Sequence, residues 1–246
     1  LYLIREGAAS RRKFMDNALC QLRPRYAAAL SAYHRAYEQK TRILRDSEER
    51  PDLLAALPDF NEQLVRFGAV LVHYRSQFAS RLSEYAAMHH RECSGGREVL
   101  EVRYQTVSAV PDPSAEVSVL TEQLRRHMED HQIAERASRL CLSGPHTDDL
   151  SVTIAGRDAK SYASQGQTRT AALSMKLAVL EIYKNATGEY PVLLLDDVLS
   201  ELDPRRQEFV LNRIAGGQVF ITCCEDDRLP QMLGGQVFHV EQGVIR

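Results

Sequence analysis

The run Val192-Leu193-Leu194-Leu195-Asp196-Asp197 narrows the possible folds of this chain more than any other segment. Four successive apolar residues predict a strand buried on both faces, as in parallel sheets covered by helices. Two carboxylates then emerge at the strand's C-terminal end, where open α/β sheets bind their ligands. A carboxylate placed there suits Mg2+, a hard ion that takes oxygen ligands and shares itself with substrate phosphates. A second carboxylate beside it can orient or deprotonate a water molecule. Taken alone, the pattern also fits an aspartate that caps the next helix.

Two neighbouring segments make the pattern specific. Ser200-Glu201-Leu202-Asp203 follows at once, and Pro204 suits the first turn of a helix with Asp203 as its cap. Upstream, Ser164-Gln165-Gly166-Gln167 precedes Arg169 and a helix expected from about Thr168 to Tyr183. A hydroxyl, a close backbone approach at Gly166 and an amide, all at a helix N-terminus, suit the γ-phosphate of a nucleotide. The order matches the signature motif, Walker B strand and D-loop of ABC-class ATPases. In that class one subunit supplies Walker A and B and its partner supplies the signature, so the order implies a nucleotide-gated dimer.

The rest of the chain reads as a helical half followed by an α/β half. Residues 10–94 are expected to be helical, with Pro24 opening a second helix. There Leu22, Tyr26, Ala29, Tyr33, Ala36 and Ile43 recur at helical spacing, with Lys40 as the exception. Leu64, Phe67, Leu71, Tyr74, Phe78, Tyr85 and Met88 occupy a and d heptad positions, broken only at Arg81. Pro51 and Pro58 mark a turn-rich connector. Two such helices predict an antiparallel helical arm, although a bundle core uses the same spacing. Beyond Ser94-Gly95-Gly96, a strand is expected over 98–107, a loop over 110–114 and a helix over 117–140. A helix over 205–214, a strand over 219–221 and a closing hairpin over 237–245, turning near Gly243, complete the reading. The opening Leu1-Tyr2-Leu3-Ile4-Arg5 reads as a strand and not as a signal peptide. Lacking an initiator Met, the chain is read as a fragment. Residues 1–9 are then a remnant of an ATPase N-terminal lobe, 10–95 the arm and 96–246 the C-terminal ATPase portion.

Composition excludes several classes. No apolar run approaches the ~20 residues needed to cross a bilayer. The five cysteines form no CxxC pair and are read as reduced cytosolic thiols, which places the chain in the cytoplasm. The net charge of −2 hides an asymmetry. Residues 1–50 carry eleven Lys/Arg against six Asp/Glu, and the remaining residues twenty against twenty-seven. A basic N-terminal segment marks either a nucleic-acid face or a solvated helix surface, and Arg11, Arg12, Lys13, Arg23 and Arg25 are its candidate phosphate contacts. Tyr and Arg alternating from Arg25 to Tyr37 could stack on bases, but core tyrosines beside solvated arginines fit the heptads better. His127 and His131 have the HxxxH spacing of a metal pair, but residue 128 is Met and not Glu, and a solvated helix face is the expected reading.

Four segments together resemble one family. Residues 161–174 are similar to the signature region of RecF-type proteins, and Leu193-Leu194-Leu195-Asp196-Asp197-Val198-Leu199-Ser200-Glu201-Leu202-Asp203 to their Walker B strand and D-loop. Gly144-Pro145-His146-Thr147-Asp148-Asp149-Leu150 resembles their GPHxDDL element, and Arg11-Arg12-Lys13-Phe14-Met15-Asp16 a basic motif at the head of their arm. The resemblance implies an α/β, ABC-ATPase-like half-sheet with an inserted antiparallel helical arm. It also implies ATP and Mg2+ as cofactors and ATP-dependent homodimerisation on gapped DNA and single-strand/double-strand junctions. RecR- and RecO-type mediators would be partners, in gap repair, replication restart and the SOS response. Carried over by position, Asp196 would sit with Mg2+ and Asp197 would act on the hydrolytic water. Ser164, Gln165, Gly166 and Gln167 would face the γ-phosphate in trans, and Ser200 and Asp203 would form the D-loop. His146 is expected to pack or hydrogen-bond. No Gly in the chain is followed by Lys, so it contains no GxxxxGK[ST] loop. A partner-docking module without hydrolysis is therefore the alternative for the chain itself. An SMC or Rad50-like head is another, although its coiled coil would far exceed the roughly 85 residues before Gly96.

Overall fold

The computed structural model describes residues 3–197, 202–214, 216–223 and 235–245. It divides into two compact units, Leu1–Ile182 and Tyr183–Arg246. The helical segment 10–95 is thus not a unit by itself; it shares the first unit with the strands that follow it.

The first unit begins with a turn over Leu3–Arg5 where a strand was expected. Both Leu3 and Ile4 are buried, but they belong to none of the sheets among the described residues. Helix α1 (Ala8–Leu22) ends at Arg23, and Pro24 opens α2 (Pro24–Asp46), where its missing N–H costs nothing. A 3-10 turn (Pro51–Ala56) leads into α3 (Leu57–Cys93). Helices α2 and α3 run antiparallel: Tyr26 meets Tyr74 edge to face at 6.0 Å, and Tyr33 lies beside Gly68. Strand β1 (Leu100–Gln105) and α4 (Val117–Ser138) also pack on α3.

Being contacted on several sides changes the face that α3 buries. Leu64, Leu71 and Phe78 are buried as expected, but Phe67, Tyr74 and Tyr85 are half-buried and Met88 is 40% exposed. Val65, Gly68, Ala69, Val72, Arg75, Ala79, Leu82 and Ala86 fill the core beside them. A two-helix seam needs a narrow a/d stripe, whereas a helix wrapped by helices and a sheet buries a broad one. The irregular Lys40 is also explained. It is fully buried and lies 2.6 Å from the Glu135 carboxylate, which also accepts from the Leu142 and Ser143 amides. A charge with this set of partners can occupy a core position.

Strands β1, β2 (Asp149–Ile154) and β3 (Arg157–Asp158) form an antiparallel sheet in the order β1-β2-β3. Its register pairs Leu100 with Ile154 and Tyr104 with Leu150. A short helix α5 (Ala159–Tyr162) leads to α6 (Gln165–Thr187), whose last residues belong to the second unit.

In the second unit β4 (Leu193–Asp196) pairs in parallel with β5 (Val219–Thr222), and α7 (Pro204–Ile214), with Val210, Leu211 and Ile214 buried, lies between them in the chain. Strands β6 (Val240–Glu241) and β7 (Val244–Ile245) form the expected hairpin, turning through Gln242 and Gly243 with φ of 51° and 80°. Both positive angles suit a primed turn, and Gly243 adopts its own without a Cβ penalty. The expectation that β4 is buried on both faces is corrected. Leu195 is buried, but Val192, Leu194 and Phe220 are 57%, 71% and 53% exposed. A two-stranded ribbon packed on one face leaves the alternate side chains on the other. No described helix is long and apolar enough to cross a membrane.

Candidate functional site

The signature segment is the first turn of α6, three residues earlier than periodicity predicts. Ser164 caps the helix: its Oγ accepts the Gln167 amide at 3.2 Å, and Gln167 Oε1 accepts the Ser164 amide at 2.8 Å. This reciprocal pair is a capping box, which satisfies two helix-terminal donors at once. Ser164 and Gln165 are exposed, and Gly166 and Gln167 half-buried. The amide nitrogen of Gln167 donates to Glu98 Oε1 at 2.8 Å, and Glu98 Oε2 lies 3.0 Å from His90 Nε2 in the last turn of α3. The signature is thereby tied to the arm.

At the end of β4, parallel pairing sets Asp196 opposite Thr222. The Thr222 hydroxyl donates to Asp196 Oδ1 at 2.5 Å and accepts the Asp197 amide at 3.2 Å, so one side chain orders both carboxylate residues. Asp197 has φ 49°, in the left-handed region that Asp and Asn tolerate best after Gly. Both carboxylates are exposed. Among the described residues there is no group of three or more His, Cys, Asp and Glu side chains able to hold a metal. An oxygen pair of this kind suits Mg2+ shared with phosphates and water. Asp203 caps α7: Oδ1 accepts the Arg206 amide at 3.1 Å and Oδ2 the Arg206 guanidinium at 2.7 Å. Ser200 lies outside the described residues.

The Gly144–Leu150 element is a clamp on the arm, and it reaches all three of the first helices. Its Asp149 accepts two hydrogen bonds of 2.7 Å from Arg11 on α1. His146 Nδ1 lies 2.7 Å from the Tyr33 hydroxyl on α2, and His146 Nε2 lies 2.9 Å from the Cys141 carbonyl. A carbonyl only accepts, so Nε2 carries the proton and Tyr33 donates to Nδ1. Burial pushes His146 below the ordinary imidazole range, in keeping with this neutral form. On α3, Arg75 donates to the Pro145 carbonyl at 2.7 Å, to Asp148 at 3.2 Å, to Tyr26 at 3.0 Å and to both oxygens of Asp16. Tyr104 also donates to Asp148. Gly144 has φ 133°, and a Cβ there would lie 2.4 Å from the Tyr33 hydroxyl, so the element requires Gly.

This clamp corrects part of the basic-face expectation. Arg11 is buried, and besides Asp149 it donates to the carbonyls of Ile4 and Glu6, leaving little of its guanidinium for a phosphate. Arg12 is half-buried and donates to the Asp148 carbonyl at 2.7 Å. Lys13, Arg23 and Arg25 are exposed. His127 is buried and 2.6 Å from Ser143 Oγ, not solvated as its spacing suggests, and His131 stacks on it at 4.0 Å. None of Cys20, Cys93, Cys141 and Cys223 forms a disulfide, and burial pushes Cys141 up to about 12. Cys224 lies outside the described residues.

Sequence reasoning passed over Glu98 and Arg75. Thr222 was legible in part, since it ends the strand that pairs with Asp196. Glu98 and Arg75 carried no local signal, because each acts on residues about 70 positions away.

A parallel strand ending in two ordered carboxylates, a capped signature helix and an antiparallel helical arm define an ABC-ATPase-like α/β protein. No family model matches the chain. It is 41% identical over 226 residues to the DNA replication and repair protein RecF of Symbiobacterium thermophilum, covering 92% of this chain and 60% of that protein. It is 36% identical to the same-named protein of Alkaliphilus oremlandii, covering 100% of this chain and 67% of that one. A solved structure of the recombination mediator protein RecF-ATPrS in the RecFOR pathway superposes with a TM-score of 0.87 at 32% identity, covering 99% of this chain and 64% of that one. The chain belongs to the RecF family. It spans about two thirds or less of the length of these relatives.

Proposed function

We propose that this chain is the signature- and Walker-B-bearing part of an ATP-gated DNA clamp that acts in recombinational repair. In this reading it works at single-strand gaps in the cytoplasm, in replication restart and SOS induction, with RecO- and RecR-type mediators. The observation that supports it best is the pairing of two features in a RecF-family chain. One is an exposed, capped helix N-terminus at Ser164–Gln167; the other is the Asp196–Asp197 pair ordered by Thr222. The first suits a phosphate presented by a second subunit, and the second suits a hydrated divalent ion and an attacking water. RecF structures described with ATP and ATPrS, to which this chain is similar, favour ATP as the nucleotide.

Mg2+ would neutralise charge on the phosphate oxygens as the terminal phosphoryl group departs. Asp196, held by the Thr222 hydroxyl, would keep the ion at the strand end. Asp197 would orient the water and take its proton. Ser164 Oγ and the first amides of α6 would bind the γ-phosphate across the dimer. Asp203 would hold the D-loop through its cap on α7.

Light scattering of the complete gene product with and without ATP and Mg2+ tests this reading. A dimer that appears only with nucleotide is expected. Failure to associate under any nucleotide condition would leave the partner-docking module as the better account.

The arm surface gives a second expectation. Replacing Lys13, Arg23 and Arg25 together by Gln weakens binding to gapped DNA for every sequence tested. It also flattens the slope of log K against log salt by roughly 3, about one per lost phosphate contact. Arg11→Gln instead lowers thermal stability, because it leaves Asp149 without its bidentate partner. An unchanged salt slope in the triple variant would remove this face from the DNA contact.

A further inference from the structure

We infer that Glu98 is a positioning residue for the signature motif, holding the Gln167 amide so that the capped end of α6 is preset for a phosphate from the opposite subunit. The inference rests on the ATP-gated reading above and adds to it a residue outside all of the recognised motifs. Glu98 lies in the connection between α3 and β1, about 70 residues from the signature, yet its Oε1 accepts from Gln167 Nε2 at 2.8 Å. The donors settle the orientation of Gln167. A carboxylate can only accept, so the amide nitrogen must face Glu98 and the amide oxygen must face the Ser164 N–H, which it accepts at 2.8 Å. Both ends of the Gln167 amide are therefore committed inside its own subunit. Gln167 then supports the phosphate-facing groups, Ser164 Oγ and the amides that follow it, and need not touch the phosphate itself.

Without Glu98, the Gln167 side chain loses its charged anchor and the capping box loosens. His90 Nε2, 3.0 Å from the other Glu98 oxygen, makes the last turn of α3 the far end of the same chain of contacts. α3 also carries Arg75, so the arm and the signature share one rigid helix.

Hydrogen exchange tests the inference without nucleotide. In the complete gene product, Glu98→Ala speeds exchange in peptides spanning residues 163–170 by about tenfold, the loss expected for one charge-assisted hydrogen bond. Glu98→Gln, which can still accept from Gln167, stays near wild type. Unchanged exchange in Glu98→Ala would overturn the inference even if ATP gating holds. The second test uses mixed dimers. Glu98→Ala homodimers lose most ATP turnover, and so do Asp197→Asn homodimers. A heterodimer of the two regains about half of wild-type turnover, because one composite site pairs an intact Asp197 with an intact signature. No recovery in heterodimers that still form with ATP would mean that Glu98 serves the ATP site of its own subunit, or only folding, and the inference falls. If the wild type itself never associates with ATP, the underlying reading fails, and the exchange result still decides whether Glu98 holds the cap.

Discussion

Asp197→Asn is expected to abolish ATP turnover in the complete gene product while leaving ATP-dependent association in place. The loss should be on the order of 10²-fold or more, the usual contribution of a positioned general base. The substitution isolates the chemistry because of the backbone at this position. Asp197 has φ 49°, where most side chains are strained but Asn, like Asp, is tolerated. Its amide is held by both the hydroxyl and the carbonyl of Thr222, and Asn keeps these bonds. What changes is the carboxylate, which as an amide can neither accept a proton from water nor repel the nucleotide. Trapped dimers are therefore expected to persist longer than in the wild type. Steady-state phosphate release and light scattering on one preparation check both halves. Turnover within threefold of wild type would exclude Asp197 as the group acting on water.

The largest effect on stability is expected at Arg75. Arg75→Met should cost about 3–5 kcal/mol, the usual result of removing one member of a buried ion pair. For a chain of this size that lowers Tm by about 10 °C. The side chain fits the volume, but Asp16 and the fully buried Asp148 lose their cation, and the Pro145 carbonyl keeps only the Asp148 amide of its two donors. The deficit depends on pH with a definite sign. Burial already raises Asp148 above the ordinary carboxylate range, against the lowering effect of Arg75. Without Arg75 it rises further, so the folded variant favours the protonated acid. A group raised on folding contributes stability at low pH and loses it as pH climbs through its folded value. The gap between variant and wild type should therefore narrow on acidification. Asp149 works in the opposite sense. Burial raises it, but the hydrogen bonds from Arg11 and the Leu150 amide more than offset this and leave it lowered, so its contribution is lost as pH falls. Denaturant melts of both proteins across the acid range would show the convergence, and a constant gap would remove Asp148 from the account.

Much of the candidate site was legible because its signals are local. A cap and the helix it starts are neighbours in the chain, so Asp203 before Pro204 announced α7 in advance. The arm was only partly legible. Helical period showed α2 and its apolar face, and heptad spacing on α3 found the buried Leu64, Leu71 and Phe78, but the folded helix buries a broader face than that seam, since the burial of a helix is set by how many elements surround it. The basic run at Arg11–Lys13 looked uniform on paper, but only folding brings Asp149 to Arg11 and leaves Lys13 in solvent.

The amino-acid sequence by itself determined the α/β class, the order of the motifs, the parallel strand that ends in Asp196 and Asp197, and the cap at Asp203. All of these depend on residues within a few positions of one another, where backbone geometry leaves few alternatives. Tertiary structure alone decided that Glu98 holds the signature, that Thr222 orders both carboxylate residues, and that the Gly144–Leu150 element fastens three helices through Arg11, Tyr33 and Arg75. Those pairings join side chains dozens to more than a hundred positions apart, and only a packed core brings such groups within hydrogen-bonding distance.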